Sequence, residues 1–146
     1  MSPEQSRGAI VLDRAYAGES GTLRDVRHDV VACLRASIVD QELEERAQLV
    51  VSELATNAIQ ASPGTMYDIR VSLGSDHSVV VRVSSWRGRG VPPAREAWGP
   101  ATDVAVRGRG LLIVAKLSDE VKVEQPAAGT VVVTVTLRPA SSDRGD

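Results

Sequence analysis

Glu53 and Asn57 stand four residues apart in Val51-Ser52-Glu53-Leu54-Ala55-Thr56-Asn57-Ala58, a stretch whose apolar spacing is helical. One helical turn separates them, so both project from one face, with Gln60 a further turn on. A carboxylate so placed can accept a proton from an attacking hydroxyl or water. An amide oxygen beside it is a hard ligand suited to Mg²⁺, which keeps several waters and binds substrate phosphates. Alone, such a pair is also what the solvated side of any amphipathic helix carries. About fifty residues downstream, however, Gly108-Arg109-Gly110 runs directly into Leu111-Leu112-Ile113-Val114. Glycines let backbone approach a phosphate closely, and a helix N-terminus presents free amides with a partial positive charge. Together the two stretches point to a magnesium-nucleotide site.

Other chemistries are less well served. The loop G-x-x-x-x-G-K-[ST] does not occur, and no strand-Gly-helix unit opens the chain as a dinucleotide fingerprint would. G-x-S-x-G is absent, which weakens a hydrolase reading. His28 and His77 are far apart without companion ligands and read as surface residues. Cys33, the single cysteine, falls among Val30, Val31 and Leu34 and reads as a small buried residue that permits no internal disulfide. A net charge of −2, no Phe, two Trp and two Tyr argue against direct nucleic-acid binding. The 146 residues, 42% apolar and 25% charged, fit one globular domain. No apolar run approaches the roughly 20 residues needed to span a bilayer. The first seven residues lack the basic flank and apolar centre of a secretion signal. A cytoplasmic protein without membrane contact is the expectation.

The elements that must position the two motifs are outlined by their periodicities. Ala9 to Leu12 reads as a short opening strand after a flexible start over 1–8. Thr22-Leu23-Arg24-Asp25 resembles a capping box, and Leu23, Val26, Val30, Leu34 and Ile38 follow at helical spacing. Asp40 can cap a second helix, with Glu42, Glu44 and Glu45 at its positive end. That helix would bury Ala47, Val50, Val51, Leu54, Ala58 and Ala61 and stop at Ser62-Pro63-Gly64. Tyr67, Ile69, Val71 and Leu73 then alternate, Gly74-Ser75-Asp76 turns the chain, and Val79, Val81 and Val83 alternate again, giving a hairpin. Residues 85–109 show no periodicity and contain four Gly, three Pro and five Arg; a loop of that length in a compact domain is usually functional or mobile. A short helix over Leu111 to Leu117 precedes two closing strands, around Val121–Val123 and Thr130–Leu137, and a disordered tail over 139–146. The order predicts an α/β sandwich with helices on one sheet face.

With both motifs in place, residues 9–138 resemble the GHKL ATPase superfamily, and most of all its small anti-sigma-factor serine kinases, related to histidine-kinase catalytic domains. The resemblance lies in the ordered combination of S-E-L-x-T-N-A, G-R-G-L-x-I-V, and Gly129-Thr130 opening the last strand. It implies a Bergerat-type ATP-binding fold, an α+β two-layer sandwich with a mixed, mostly antiparallel sheet and helices on one face. By resemblance Glu53 would be the catalytic base and Asn57 the Mg²⁺ ligand, with Ala61 beside the nucleotide. Gly108, Arg109, Gly110 and Leu111 would lie along the phosphates of ATP beneath a mobile lid over about 85–109, and Thr130 near the adenine. The implied protein serine/threonine kinase would phosphorylate an anti-anti-sigma (STAS-type) protein and bind a sigma factor, regulating transcription. The family often uses the first helix, which here exposes Arg24, Arg27 and Arg35, for partner contact and for a homodimer.

One departure matters. The family carries D-x-G-x-G after the hairpin, its Asp recognising the adenine amino group. Here the chain reads Val83-Ser84-Ser85-Trp86-Arg87-Gly88-Arg89-Gly90. Gly88 and Gly90 keep the glycine places at the nucleotide, but Trp86 stands where the aspartate belongs, and shifting the register by one gives Ser85. Trp86 could stack on the purine in compensation. The alternative is a nucleotide-independent binding module of the same fold, acting by stoichiometric partner capture.

Overall fold

The computed structural model describes residues 8–37, 39–86, 113–127 and 129–139. The flexible start, the lid and the tail expected from the sequence fall almost wholly outside them, as does Ile38. The chain runs β1 (Ala9–Tyr16), α1 (Thr22–Ala36), α2 (Gln41–Ala61), β2 (Tyr67–Leu73), β3 (Val79–Trp86), helical residues 113–117, β4 (Glu120–Ala127) and β5 (Thr130–Leu137). The strands form one sheet in the order β1-β2-β3-β5-β4. This is the expected α+β sandwich; where a mixed sheet was expected, every described pairing is antiparallel.

Strict alternation builds the inner sheet face. Ile69 and Val71, Val79, Val81 and Val83, and Val131, Val133, Val135 and Leu137 are all buried on it. Val26, Val30 and Leu34 of α1 and Ala47, Val50, Val51, Leu54 and Ala58 of α2 complete the core from the helix layer. Full burial of each Val or Leu contributes about 1.5–3 kcal/mol. No helix among the described residues is long and apolar enough to cross a membrane.

Local chemistry departs from the sequence reading at three places. The Thr22 hydroxyl does not cap α1, whose N-cap residue is Gly21 with no side-chain bond. It lies 2.9 Å from the Tyr67 hydroxyl and within 3.0 Å of the Ala17 and Glu19 carbonyls, so the tertiary contact takes the group that a capping box needs. β1 continues past Leu12 to Tyr16, because its charged residues find partners. Asp13 pairs with Arg70 of β2 at 3.3 Å, and Arg14 pairs with Asp29 of α1 at 2.7 Å. Tyr16 ends the strand stacked on Tyr67, its hydroxyl donating to Asp29, and burial together with that bond pushes its phenol well above the ordinary value. β4 extends through Pro126 to Ala127, which an edge strand with an irregular register tolerates. Asp40 caps α2 as expected, accepting from the Leu43 amide.

Arg46 fastens α2 to one end of the sheet. Its side chain is 15% exposed. Its guanidinium donates to the Leu117 carbonyl at 3.0 and 3.2 Å, to the Arg138 carbonyl at 2.8 Å and to Asp119 at 3.1 Å. Asp119 also accepts from the Arg138 amide at 2.6 Å. One planar fork thus joins α2 to the helical residues 113–117 and to the chain leaving β5. Arg46→Met keeps the apolar stem and removes the fork. The expected loss is about 2–3 kcal/mol, read as a melting temperature lower by roughly 5–10 °C; a change under about 0.5 kcal/mol, the range of ordinary surface substitutions, would contradict this role.

Candidate functional site

The site begins with the geometry of α2. At about 100° per residue, Arg46, Glu53 and Asn57 fall within about 40° of one another on the helix surface. They border the apolar arc of Leu43, Val50 and Leu54, which is buried in the core. Glu53 and Asn57 are accordingly half-buried, at the edge of the packed layer and not on its solvated back. Neither side chain makes a hydrogen bond or ion pair to another described residue. A carboxylate and an amide oxygen, four residues apart and without partners among the described residues, are therefore available to a ligand. Gln60, the third polar residue of that series, is exposed.

Arg46 adds a link that sequence spacing could not supply. Leu117, seven residues beyond Gly110, is fastened to the same flank of α2 that carries the acid-amide pair. Val114 between them is fully buried, and the Ser118 hydroxyl donates back to its carbonyl. Gly88, Gly90, Gly108, Arg109, Gly110 and Leu111 themselves lie outside the described residues.

The far end of α2 meets the sheet. Ser62, its C-cap residue, donates its hydroxyl to the Trp86 carbonyl at the end of β3. Trp86 is in turn the register partner of Thr130 at the start of β5. Ala61, Trp86 and Thr130 are thereby brought to one end of the sandwich, a turn or more beyond Asn57. The structure separates the two alternatives for the missing aspartate. Ser85 follows Val81 and Val83 on the helix-facing side, buried at 8% exposure and paired in register with Tyr67 and Val131. Trp86 has the opposite parity, that of exposed Arg82, and is itself 50% exposed.

The Trp86 ring lies on Gly129 of the β4–β5 turn. A Cβ there would come 2.5 Å from ring atoms Cζ3 and Cη2, and Gly129 has φ +81°. The ring thus packs against the β4–β5 turn while half of the residue stays exposed. Sequence reasoning missed Arg46 and the Ser62–Trp86 bond because both depend on contacts distant in sequence. The signal for Ser85 was present, in the alternation of β3.

Residues 17–136 match the family model of the histidine kinase-like ATPase domain. Among solved structures, the chain is similar to one in the crystal structure of the SiaB–SiaC complex from Pseudomonas aeruginosa, with TM-score 0.71 and 15% identity over 90% of this chain and 91% of that one. It is also similar to the crystal structure of the RsbU and RsbW domains of a Mycobacterium tuberculosis protein, with TM-score 0.63 and 19% identity. That match covers 87% of this chain and 32% of the other. No curated protein is significantly similar in sequence.

The packing of Trp86 on Gly129 is testable by a double-mutant cycle. Gly129→Ala should cost about 1–3 kcal/mol, from its left-handed backbone and the displaced ring. In a Trp86→Ala background the cost should fall by at least about 0.5 kcal/mol. Strict additivity in denaturant unfolding would mean the contact carries no energy.

Proposed function

Since the chain belongs to the histidine kinase-like ATPase domain family, we propose that it binds Mg-ATP and transfers the γ-phosphoryl group to a serine or threonine of an anti-anti-sigma (STAS-type) protein, and sequesters a sigma factor when that protein is not engaged. What supports the reading is the flank of α2, where Glu53 and Asn57 stand together, half-buried and free of partners among the described residues. The two solved structures the chain is similar to, one a two-protein complex and the other holding two named domains, favour a partner-directed role.

In this reading Glu53 accepts the proton of the substrate hydroxyl as its oxygen bonds to the γ-phosphorus. The bond from that phosphorus to the β–γ bridging oxygen breaks, and ADP leaves with the electron pair. Asn57 offers its amide oxygen to Mg²⁺, whose donor preference it fits. When bound, the ion offsets triphosphate charge and orients the phosphoryl group. Gly108, Arg109, Gly110 and Leu111 are assigned to the phosphates by their motif alone, and Ala61 and Thr130 to the base.

A second reading, capture of a partner without nucleotide, is favoured by one observation: β3 carries no carboxylate from Val79 to Trp86, and the Trp86 ring is committed to Gly129. Mg-ATP separates the two. At 100 times its dissociation constant a ligand stabilises the folded state by about 2.7 kcal/mol. For a chain of this size that is a melting rise of roughly 5–10 °C. Wild type should show this rise, and Asn57→Ala should lose most of it at equal concentration. Glu53→Ala should keep the rise and transfer phosphate to the partner serine at least about 100-fold more slowly. No rise in wild type leaves the capture reading; undiminished transfer by Glu53→Ala removes its assigned role.

A further inference from the structure

We propose that the Ser85 hydroxyl is the base-reading group of this site and that it admits guanine as well as adenine nucleotides. The assignment rests on the nucleotide reading of the site given above. Ser85 is buried on the helix-facing side of β3 at 8% exposure, yet its hydroxyl makes no hydrogen bond to another described residue. Leaving a buried hydroxyl without a partner is costly, and protein interiors nearly always avoid it. A group that is kept unpartnered there is suited to a bond with something that enters. The carbonyl of the next residue is held by Ser62, at the end of α2 beyond Asn57, so Ser85 lies toward the end of the site away from the metal ligand. Ala61, beside Ser62, carries only a methyl group and is half-buried.

Chemistry then sets the specificity. Adenine presents an amino donor at C6, and guanine a carbonyl acceptor. A carboxylate only accepts, so it would hold the amino group and repel the carbonyl. A serine hydroxyl accepts from the one or donates to the other by rotating its hydrogen. Because β3 supplies no carboxylate, the selecting charge is missing from this strand.

The test titrates the full chain with Mg-ATP, Mg-GTP and the Mg complex of purine riboside triphosphate, which has no C6 substituent. Wild type should bind ATP and GTP within about fivefold of each other, and the third nucleotide about three- to tenfold more weakly than ATP. Ser85→Ala, which removes one oxygen and preserves the strand, should abolish the penalty on the third nucleotide. Ser85→Asp should favour ATP over GTP by about tenfold or more. A wild-type preference for ATP beyond fivefold overturns the assignment while leaving the site reading intact, as does a penalty that persists in Ser85→Ala. Binding of none of the three overturns the site reading and this assignment with it.

Discussion

A helix has a limited circumference, and α2 spends much of its own on the sheet. Eight of its 21 residues are buried, and they occupy a continuous arc packed against α1 and the inner face of the sheet. Whatever polar chemistry the helix carries must then stand either on the solvated back or along one of two flanks. Arg46, Glu53 and Asn57 occupy a single flank, half in and half out of the packed layer. At such a border, charges interact more strongly than on an open surface, yet a ligand can still reach them. The same flank anchors Leu117 through Arg46. The packing of α2 therefore decides both where the acid-amide pair is presented and which part of the chain is fastened beside it.

The other constraint is the two-residue period of β3. Successive side chains go to opposite faces, so a single step in register separates a buried hydroxyl on the helix side from an indole on the other. Ser85 takes the first position and Trp86 the second, and Gly129 keeps room for the ring. The helix-facing position at this end of β3 therefore holds a small neutral group that can give or take one hydrogen bond, while the flank of α2 carries Glu53.

Much of this architecture was legible from residue order, and what was not shares a cause. The β2–β3 hairpin, α2 and β5 follow from strong periodicity, and Asp40 and Ser62-Pro63-Gly64 mark the ends of α2 by local chemistry alone. The second half of β1 was hidden because Asp13 and Arg14 look unlike strand residues until Arg70 and Asp29 are seen beside them. The Thr22 capping box failed because Tyr67, distant in sequence, competes for the hydroxyl. Within the site, Glu53 and Asn57 were legible as a pair on one helix. Their half-burial, the Arg46 link and the opposed faces of Ser85 and Trp86 were not, because each depends on how separate elements pack.

The central claim is that the α2 flank and the Gly108–Gly110 segment meet around one metal–nucleotide complex. Replacing Mg²⁺ by paramagnetic Mn²⁺ in the presence of ATP tests it most directly, since the ion broadens nearby amide resonances with a steep dependence on distance. The account predicts that the signals of Glu53 to Asn57 and those of Gly108 to Gly110 disappear together, while those of the far edge strand β1 persist. Broadening of only one of the two segments, or of neither, would contradict it.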